Sequence, residues 1–522
     1  MLPLAPYYYR PRNTAPQTQT LETDVCIYGG TPAGVAAALQ LRRMGKTAIL
    51  LEPSGHLGGM SSSGLGNTDT GNKAAIGGIA HEFYQKLGDK YGVAEEWNFE
   101  PHVAEQVFGE MIREAGAPVY LQQFIQSVTK NGLHLLSLTL ESGLTVRAKM
   151  FVDATYEGDL LAKAGVQYFL GRESNAVYEE TLSGVQVHAK HQFDLPVDPY
   201  IREGDPSSGL LPGISAEPLG ETGTGDRRIQ AYNFRLCLTQ DPQNRIPFEK
   251  PADYDPLEYV LLARYLAKGW PESEVFRKFD PVRNNKVDKN NCGAVSTDYI
   301  GRNFAYPEAD YTTREAIFQA HVTYQKGLMW FLGNDPSVPE AIRVRWSEWG
   351  LCQDEFPQTG GWPHQLYVRE ARRMVSDYVM TESNCRGKSI PTDSIGLAAY
   401  TMDSHNCDRF VRDGRVWNEG DVQVGGFPPY PISYRSLVPK SGECANLLVP
   451  VCLSASHIAY GSIRMEPVFM ILGQSAATAA ALALDTGIPL QDLNYNALRT
   501  KLLEDKQILT WEEAEDVVTP TS

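Results

Sequence analysis

The chain has 522 residues, 42% of them hydrophobic and 21% charged, with a formal net charge of −16. That length predicts two or more domains built on ordinary globular cores, and the acidic balance argues against nucleic acid and anionic membrane as partners. No run of eighteen apolar residues occurs, so no membrane span is expected.

Met1 to Thr23 are rich in Pro, Thr, Gln and Tyr and lack a basic segment followed by an apolar one. No signal peptide is read there, so a cytoplasmic location is expected unless a signal has been removed. Residues 1–21 are taken as an N-terminal extension. An apolar run from Asp24 then enters the turn Gly29-Gly-Thr-Pro-Ala-Gly34, a small-residue helix follows, and a second apolar run, Ala48-Ile-Leu-Leu, ends at Glu52. This is the first β-α-β unit of a dinucleotide-binding fold. Gly29 permits the tight turn, Gly34 lets helix and strand pack closely, and the helix N-terminus offers bare N–H groups to a pyrophosphate. Thr31 replaces the middle glycine of G-x-G-x-x-G, which shifts the backbone approach to Gly30. Glu52 lies eighteen residues past Gly34, where a carboxylate can accept both ribose hydroxyls.

Gly55 to Gly66 hold five glycines in twelve residues, a loop suited to lie against a ligand. Residues 78–92 and 103–115 read as helices, and Val119 to Val152 as a β-meander ending in Asp153-Ala-Thr155. From 171 to 429 Pro, Asp, Tyr, Trp and Arg rise, which marks an inserted substrate or cap domain, with helices expected at 311–333 and 364–382. Strand and small-residue helix return over 430–490, as a second part of the domain begun at 22–170. Pro467 suits the first turn of the second helix. An acidic helical tail, 491–522, completes the chain. The eight cysteines are scattered and none forms C-x-x-C, so reduced core thiols are expected and no metal site.

Four motifs together resemble the FAD-dependent oxidoreductases of the succinate dehydrogenase and fumarate reductase-like class: Gly29–Gly34, His56-Leu-Gly-Gly-Met60, Asp153-Ala-Thr-Tyr-Glu-Gly-Asp-Leu160, and Ser456 to Pro467. The resemblance implies an α/β fold, a Rossmann-like FAD-binding domain with a β-meander interrupted by the insert. It implies that Gly29, Gly30, Pro32, Ala33 and Gly34 hold the pyrophosphate and that Glu52 and Pro53 flank the ribose. His56, Gly58, Gly59, Met60 and Ser61 would run beside the ribityl chain and flavin. Ile125, or Phe124 beside it, would meet the adenine. Ala154 and Thr155 would face FAD, though Tyr156 stands where the family has glycine. Glu466, Pro467 and Met470 would open a helix aimed at the flavin, its dipole favouring the anionic reduced form. His56 is a site where flavin could be tethered.

The chemistry expected is hydride transfer from a hydroxylated small molecule, sugar- or polyol-like, to the flavin. The alternatives are alkene reduction, amine oxidation, or a flavin bound without catalysis. No second Gly-rich unit for a nicotinamide is present, which favours oxygen or an external carrier as acceptor. His457, Tyr460 and Arg464 lie just before the flavin-facing helix, so His457 is the leading base and Arg464 its electrostatic partner. His405, His364 and Arg435 are further catalytic candidates, with Arg369 and Arg372 expected on one face of a helix. The 26 tyrosines and 8 tryptophans supply rings able to stack on sugar faces.

Overall fold

The computed structural model describes residues 4–12 and 18–512. At its centre, strand β1 (Gln19–Tyr28) lies between β2 (Ala48–Leu51) and β6 (Leu144–Asp153), parallel to both. Val25, Cys26, Ile27 and Tyr28 are all fully buried, which explains an apolar run without alternation: layers cover both faces of the sheet. β5 (His134–Leu140) and β4 (Ile125–Asn131) follow β6 in antiparallel order and form the expected meander. β3 (Val119–Tyr120) is not part of it. It pairs parallel to β2 at the opposite edge of the sheet, at the end of a helical connection, Pro101–Ala115, that packs beside α1.

The short strand Leu447–Leu448 returns to the same sheet and pairs parallel to β6, about 300 residues further along the chain. The helix Glu466–Thr486 then packs on α1 (Pro32–Arg43). Both helices carry alanine and glycine where they meet, and the backbones touch: a Cβ on Gly473 would overlap the Ala33 carbonyl. That helix is long and apolar enough to cross a bilayer, contrary to the sequence expectation, and its most apolar window is 89% buried within the fold. Its apolar length serves a core.

Between β6 and Leu447 the chain builds a second, five-stranded antiparallel sheet around Leu236–Thr239 and Lys286–Lys289. The helix Tyr311–Asn334 agrees with expectation. The helix expected over 364–382 does not form. The only regular structure before Thr381 is the two-residue strand Arg373–Met374. Residues 366–374 are all buried, and Arg369, Glu370, Arg372 and Arg373 reach separate partners in different directions. A helix could not bury every side of itself with so many charges. Its (i, i+3) arginine pair is therefore absent. In the tail, Tyr495–Glu504 is helical and 505–510 is not; residues 513–522, like 1–3 and 13–17, lie outside the described residues. All eight cysteines are buried and free.

The contact at Gly473 has a measurable consequence. Ala normally gains about 1 kcal/mol over Gly inside a helix, but here the added methyl meets backbone that cannot rotate away. Gly473→Ala is expected to destabilise by about 1–3 kcal/mol, the usual cost of overpacking. A thermal midpoint equal to or above the parent's would show that the two helices do not seat this closely.

Candidate functional site

The β1–α1 turn opens on a cavity walled by Gly29, Thr31, Glu52, His56, Gly59 and Thr155. A second cavity, of about 410 Å³, shares the walls Pro53, Ser54, His56 and His364 and adds Gln122 and Phe124. The turn is tied down from both sides. Gly29 has φ +109°, and a Cβ there would come 2.6 Å from the Ala154 carbonyl carbon. Thr31 does not cap α1; its hydroxyl donates to the Ala154 carbonyl at 2.7 Å, locking the turn to the end of β6. The Glu52 carboxylate accepts from the backbone N–H of Gly30 at 2.5 Å and of Ser54 at 2.6 Å. Burial raises its pKa, and these donors partly offset the rise.

Gly58 and Gly59 turn with φ +96° and +51°, and side chains there would strike Phe108 and the Tyr156 hydroxyl. Met60 is fully buried, and its N–H donates to the Tyr156 hydroxyl at 3.0 Å. Ser61 is buried with no partner for its hydroxyl. Tyr156, the departure from the glycine pattern, also donates to Glu466 at 2.8 Å. Pro32, Ala33, Gly34, Pro467 and Met470 form buried first turns of the two packed helices. Ile125 is buried in the hydrophobic cluster of the sheet, whereas Phe124 borders the larger cavity. Of the two, Phe124 faces the space a base would occupy. His56 meets Glu105 at 2.8 Å and stacks on His364 at 3.9 Å. Both ring nitrogens of His364 are buried without a partner, and burial pushes its pKa well down.

The lining therefore has the features of one stretch of a dinucleotide site. It has a glycine cradle without side chains, a carboxylate beside the turn, a helix N-terminus beneath it, and neutral imidazole nitrogens lacking partners.

The expected catalytic residues separate into four places, of which His364 at the cavity walls is one. His457 and Tyr460 sit not in a turn but on the short helix His457–Ile463, capped by Ser456. His457 Nδ1 meets Glu370 at 2.8 Å and Nε2 meets Ser404 Oγ at 3.0 Å, so neither ring nitrogen is open. The Ser404–His457–Glu370 spacing is that of a nucleophile relay, yet Ser404 is fully buried and Glu370 also pairs Arg373 at 2.8 Å. This is a brace. Arg435 pairs with Asp393 at the surface and lines neither cavity, with 48% of its side chain exposed.

Arg464 and His405 do come together, with residues the sequence did not single out. Arg464 donates to the Tyr367 hydroxyl at 3.1 Å and the Gln230 side chain at 3.1 Å, and lies 3.5 Å from Asp403. His405 Nδ1 meets Asp298 at 2.7 Å while Nε2 faces Asp403 at 3.7 Å. Asp298 also pairs Arg369 at 3.1 Å, and the Arg369 guanidinium lies 4.5 Å over the Tyr367 ring. Asp69 accepts from Tyr400 at 3.2 Å and lies 4.0 Å from Arg235, itself paired with Asp288. Burial and Arg369 pull the His405 pKa down, but Asp298 and Asp403 outweigh them, so the net shift is upward. Burial would raise Asp403, yet His405 and Arg464 hold it well below the usual carboxylate range. The cluster opens outward at Asp69 and Asp403, whose side chains are 32% and 15% exposed. The loop from Gly58 to Gly66 joins it to the cavity: Gly59 is at the cavity wall, Ser63 Oγ accepts from the Gln365 N–H at 2.8 Å, and Gly64 presses on the Arg235 carbonyl.

Residues 24–502 match the family described as FAD dependent oxidoreductase. The chain belongs to that family. Its cofactor is FAD, and the enzyme is an FAD-dependent oxidoreductase. No curated protein matches the chain. Among solved structures it is similar to Thermovibrio ammonificans THI4, at 22% identity and TM-score 0.23, over 31% of this chain and 71% of that one. L-proline dehydrogenase from P. horikoshii is similar at 21% identity and TM-score 0.19, over 31% of this chain and 26% of that one. L-amino acid deaminase from Proteus vulgaris is similar at 13% identity and TM-score 0.24, over 31% and 55%.

In this FAD-dependent oxidoreductase, burial lifts the Glu466 carboxyl from 4.5 to about 8, with Tyr156 pulling only slightly the other way. The native state then holds a proton that the unfolded chain releases, so stability falls as pH climbs from about 4.5 to about 8. The slope is at most about 1.4 kcal/mol per pH unit for one group. Glu466→Gln keeps an acceptor for Tyr156 and removes the titration. The variant should gain thermal stability over the parent at about pH 8 and little at about pH 5, measured on flavin-free protein. A gap independent of pH would mean that Glu466 is ionised in the fold.

Proposed function

We propose that this chain, a member of the fumarate reductase-like branch on its four motifs, oxidises a neutral hydroxylated small molecule at the polar cluster around Arg464. One observation carries the reading. The cluster sets three arginines, Arg235, Arg369 and Arg464, against four aspartates, Asp69, Asp288, Asp298 and Asp403. Every guanidinium has a carboxylate beside it. A site built to hold a substrate carboxylate, as an enoate reductase needs, would leave an arginine fork free. Here the groups left to meet a substrate are hydrogen-bonding ones: Tyr367, Tyr400, Asp69 and Asp403, with the Nε donors of Arg369 and Arg464.

The residues proposed to hold FAD are Gly29 to Gly34 for the pyrophosphate, Glu52 for the ribose, and the Gly58–Ser61 strand of loop beside the flavin. Bound there, FAD supplies the acceptor for a hydride. His405 takes the hydroxyl proton in this reading, because its Nδ1 is oriented by Asp298 and its Nε2 faces the partly exposed Asp403. Arg464 and Tyr367 steady the oxygen as it loses that proton. His457 supports β-structure behind them through Ser404. Oxygen or an external carrier is the proposed electron acceptor, and a cytoplasmic location remains the expectation.

The test is an anaerobic screen for flavin bleaching with polyols, sugars, amines and enoates. Polyols or sugars should bleach it. Reduction by amines alone would make the acidic surplus an ammonium site and overturn the proposal. With the substrate so found, His405→Ala should slow flavin reduction by ~10²–10⁴-fold with FAD still bound, and His457→Ala should act chiefly on thermal stability. The reverse pattern in stopped-flow traces returns the base to His457. For the cofactor, Glu52→Ala should loosen FAD, read as faster release on dilution. An unchanged release rate would move the ribose elsewhere.

A further inference from the structure

The N-terminal segment carries no sequence motif for FAD, yet it walls both cavities. Tyr7 and Tyr8 line the smaller one with Gly29 and Glu52, and both line the larger with Arg10, Arg12, Pro53 and Phe124. We propose that residues 7–12 form a cofactor clamp: a strap that closes over the adenosine end of FAD, opposite Pro53 and Phe124. This rests on the assignment of Glu52 to the ribose.

The strap is anchored on two separate parts of the fold. On the inserted side, Glu315 accepts from the N–H groups of Tyr8 and Tyr9 at 2.7 and 2.8 Å, and Gln319 donates to the Pro6 carbonyl at 2.7 Å. Both lie on the helix Tyr311–Asn334. On the sheet side, Arg12 donates to the Gln122 carbonyl at 2.8 Å, and the Tyr9 hydroxyl donates to Glu141 at 2.9 Å. A segment fixed at both banks spans the cavity between them. Tyr8 sets its ring edge-on to Phe124 and Tyr306, and Tyr9 packs on Phe124 and Tyr311.

Tyr7 is different. It lines both cavities, its hydroxyl accepts from the Gln122 side chain at 2.8 Å, and the Arg10 guanidinium lies 3.7 Å over its ring. A ring held at its hydroxyl and backed by a cation is oriented before any ligand arrives. A base between such a ring and Phe124 is the ordinary aromatic platform for a nucleobase. Arg10 and Arg12 add positive charge at the cavity mouth of a chain with net charge −16, which suits a diphosphate. About 410 Å³ is space enough for a nucleoside rather than for a whole dinucleotide, as expected for one end of an extended site.

The experiment compares the parent, a chain lacking residues 1–12, and the full chain with Tyr7→Ala or Tyr7→Phe. Dissociation constants are measured for FAD, ADP and FMN, with the thermal midpoint of each flavin-free protein as control. One lost base–aromatic stack corresponds to about 10- to 100-fold in affinity. The truncation and Tyr7→Ala should weaken FAD and ADP together by that factor and leave FMN unchanged, since FMN lacks the adenosine. Tyr7→Phe should stay near the parent. Unchanged ADP and FAD affinity in both variants overturns the strap, as does equal weakening of FMN. If the truncation lowers the thermal midpoint of the flavin-free protein, Tyr7→Ala alone decides. A parent that binds neither FAD nor ADP would instead sink the Glu52 reading itself.

Discussion

The arrangement depends on backbone touching backbone around the first turn. Gly29 lies against Ala154 and Thr155, Gly34 against the Gly29 carbonyl, and Gly473 against Ala33. No side chain intervenes at any of the three. The end of β1, the end of β6, the start of α1 and the core helix 466–486 therefore converge on one small volume. Dispersion contacts at such short range are collectively large, and with the Glu52 carboxylate on the Gly30 N–H they fix the shape of the turn. The same closeness leaves the turn bare on its remaining side, where the cavity begins.

A second constraint is charge. Arginines 172, 235, 314, 369 and 373 are nearly or fully buried, and each meets at least one carboxylate. Buried pairs of this kind contribute little net stability against apolar replacements, but removing one partner is costly. Their effect is positional. Glu370, for example, holds Arg373 on one oxygen and His457 on the other, so it aligns the segment 366–374 with the short helix at 457. At the polar cluster beside the cavity such pairs reach solvent, through Asp69 and Asp403.

Much of the dinucleotide unit was legible in the sequence because local rules set it: an apolar strand, a glycine turn, Pro32 in the first helical turn, a second apolar strand. The pairing of Leu447 with β6 was legible in kind, through composition returning to small and apolar residues. The site beyond it was not. Tyr367 and Asp298 come from distant parts of the insert and meet only through tertiary packing, so no spacing marks them. The segment 364–382 misled because its arginines fall at helical intervals while 366–374 is buried on every side. Tyr7 to Tyr9 fall within the N-terminal extension, where aromatic residues ahead of a first strand carry no periodic signal.

The loop from Gly58 to Gly66 is held at both ends by different neighbours. A side chain on Gly59 would strike the Tyr156 hydroxyl, and one on Gly64 the Arg235 carbonyl. Few residues separate these two contacts. A ligand that displaced this loop from one side would be felt on the other. By reciprocity, whatever a substrate does to the grip on FAD, FAD does in equal measure to the grip on substrate.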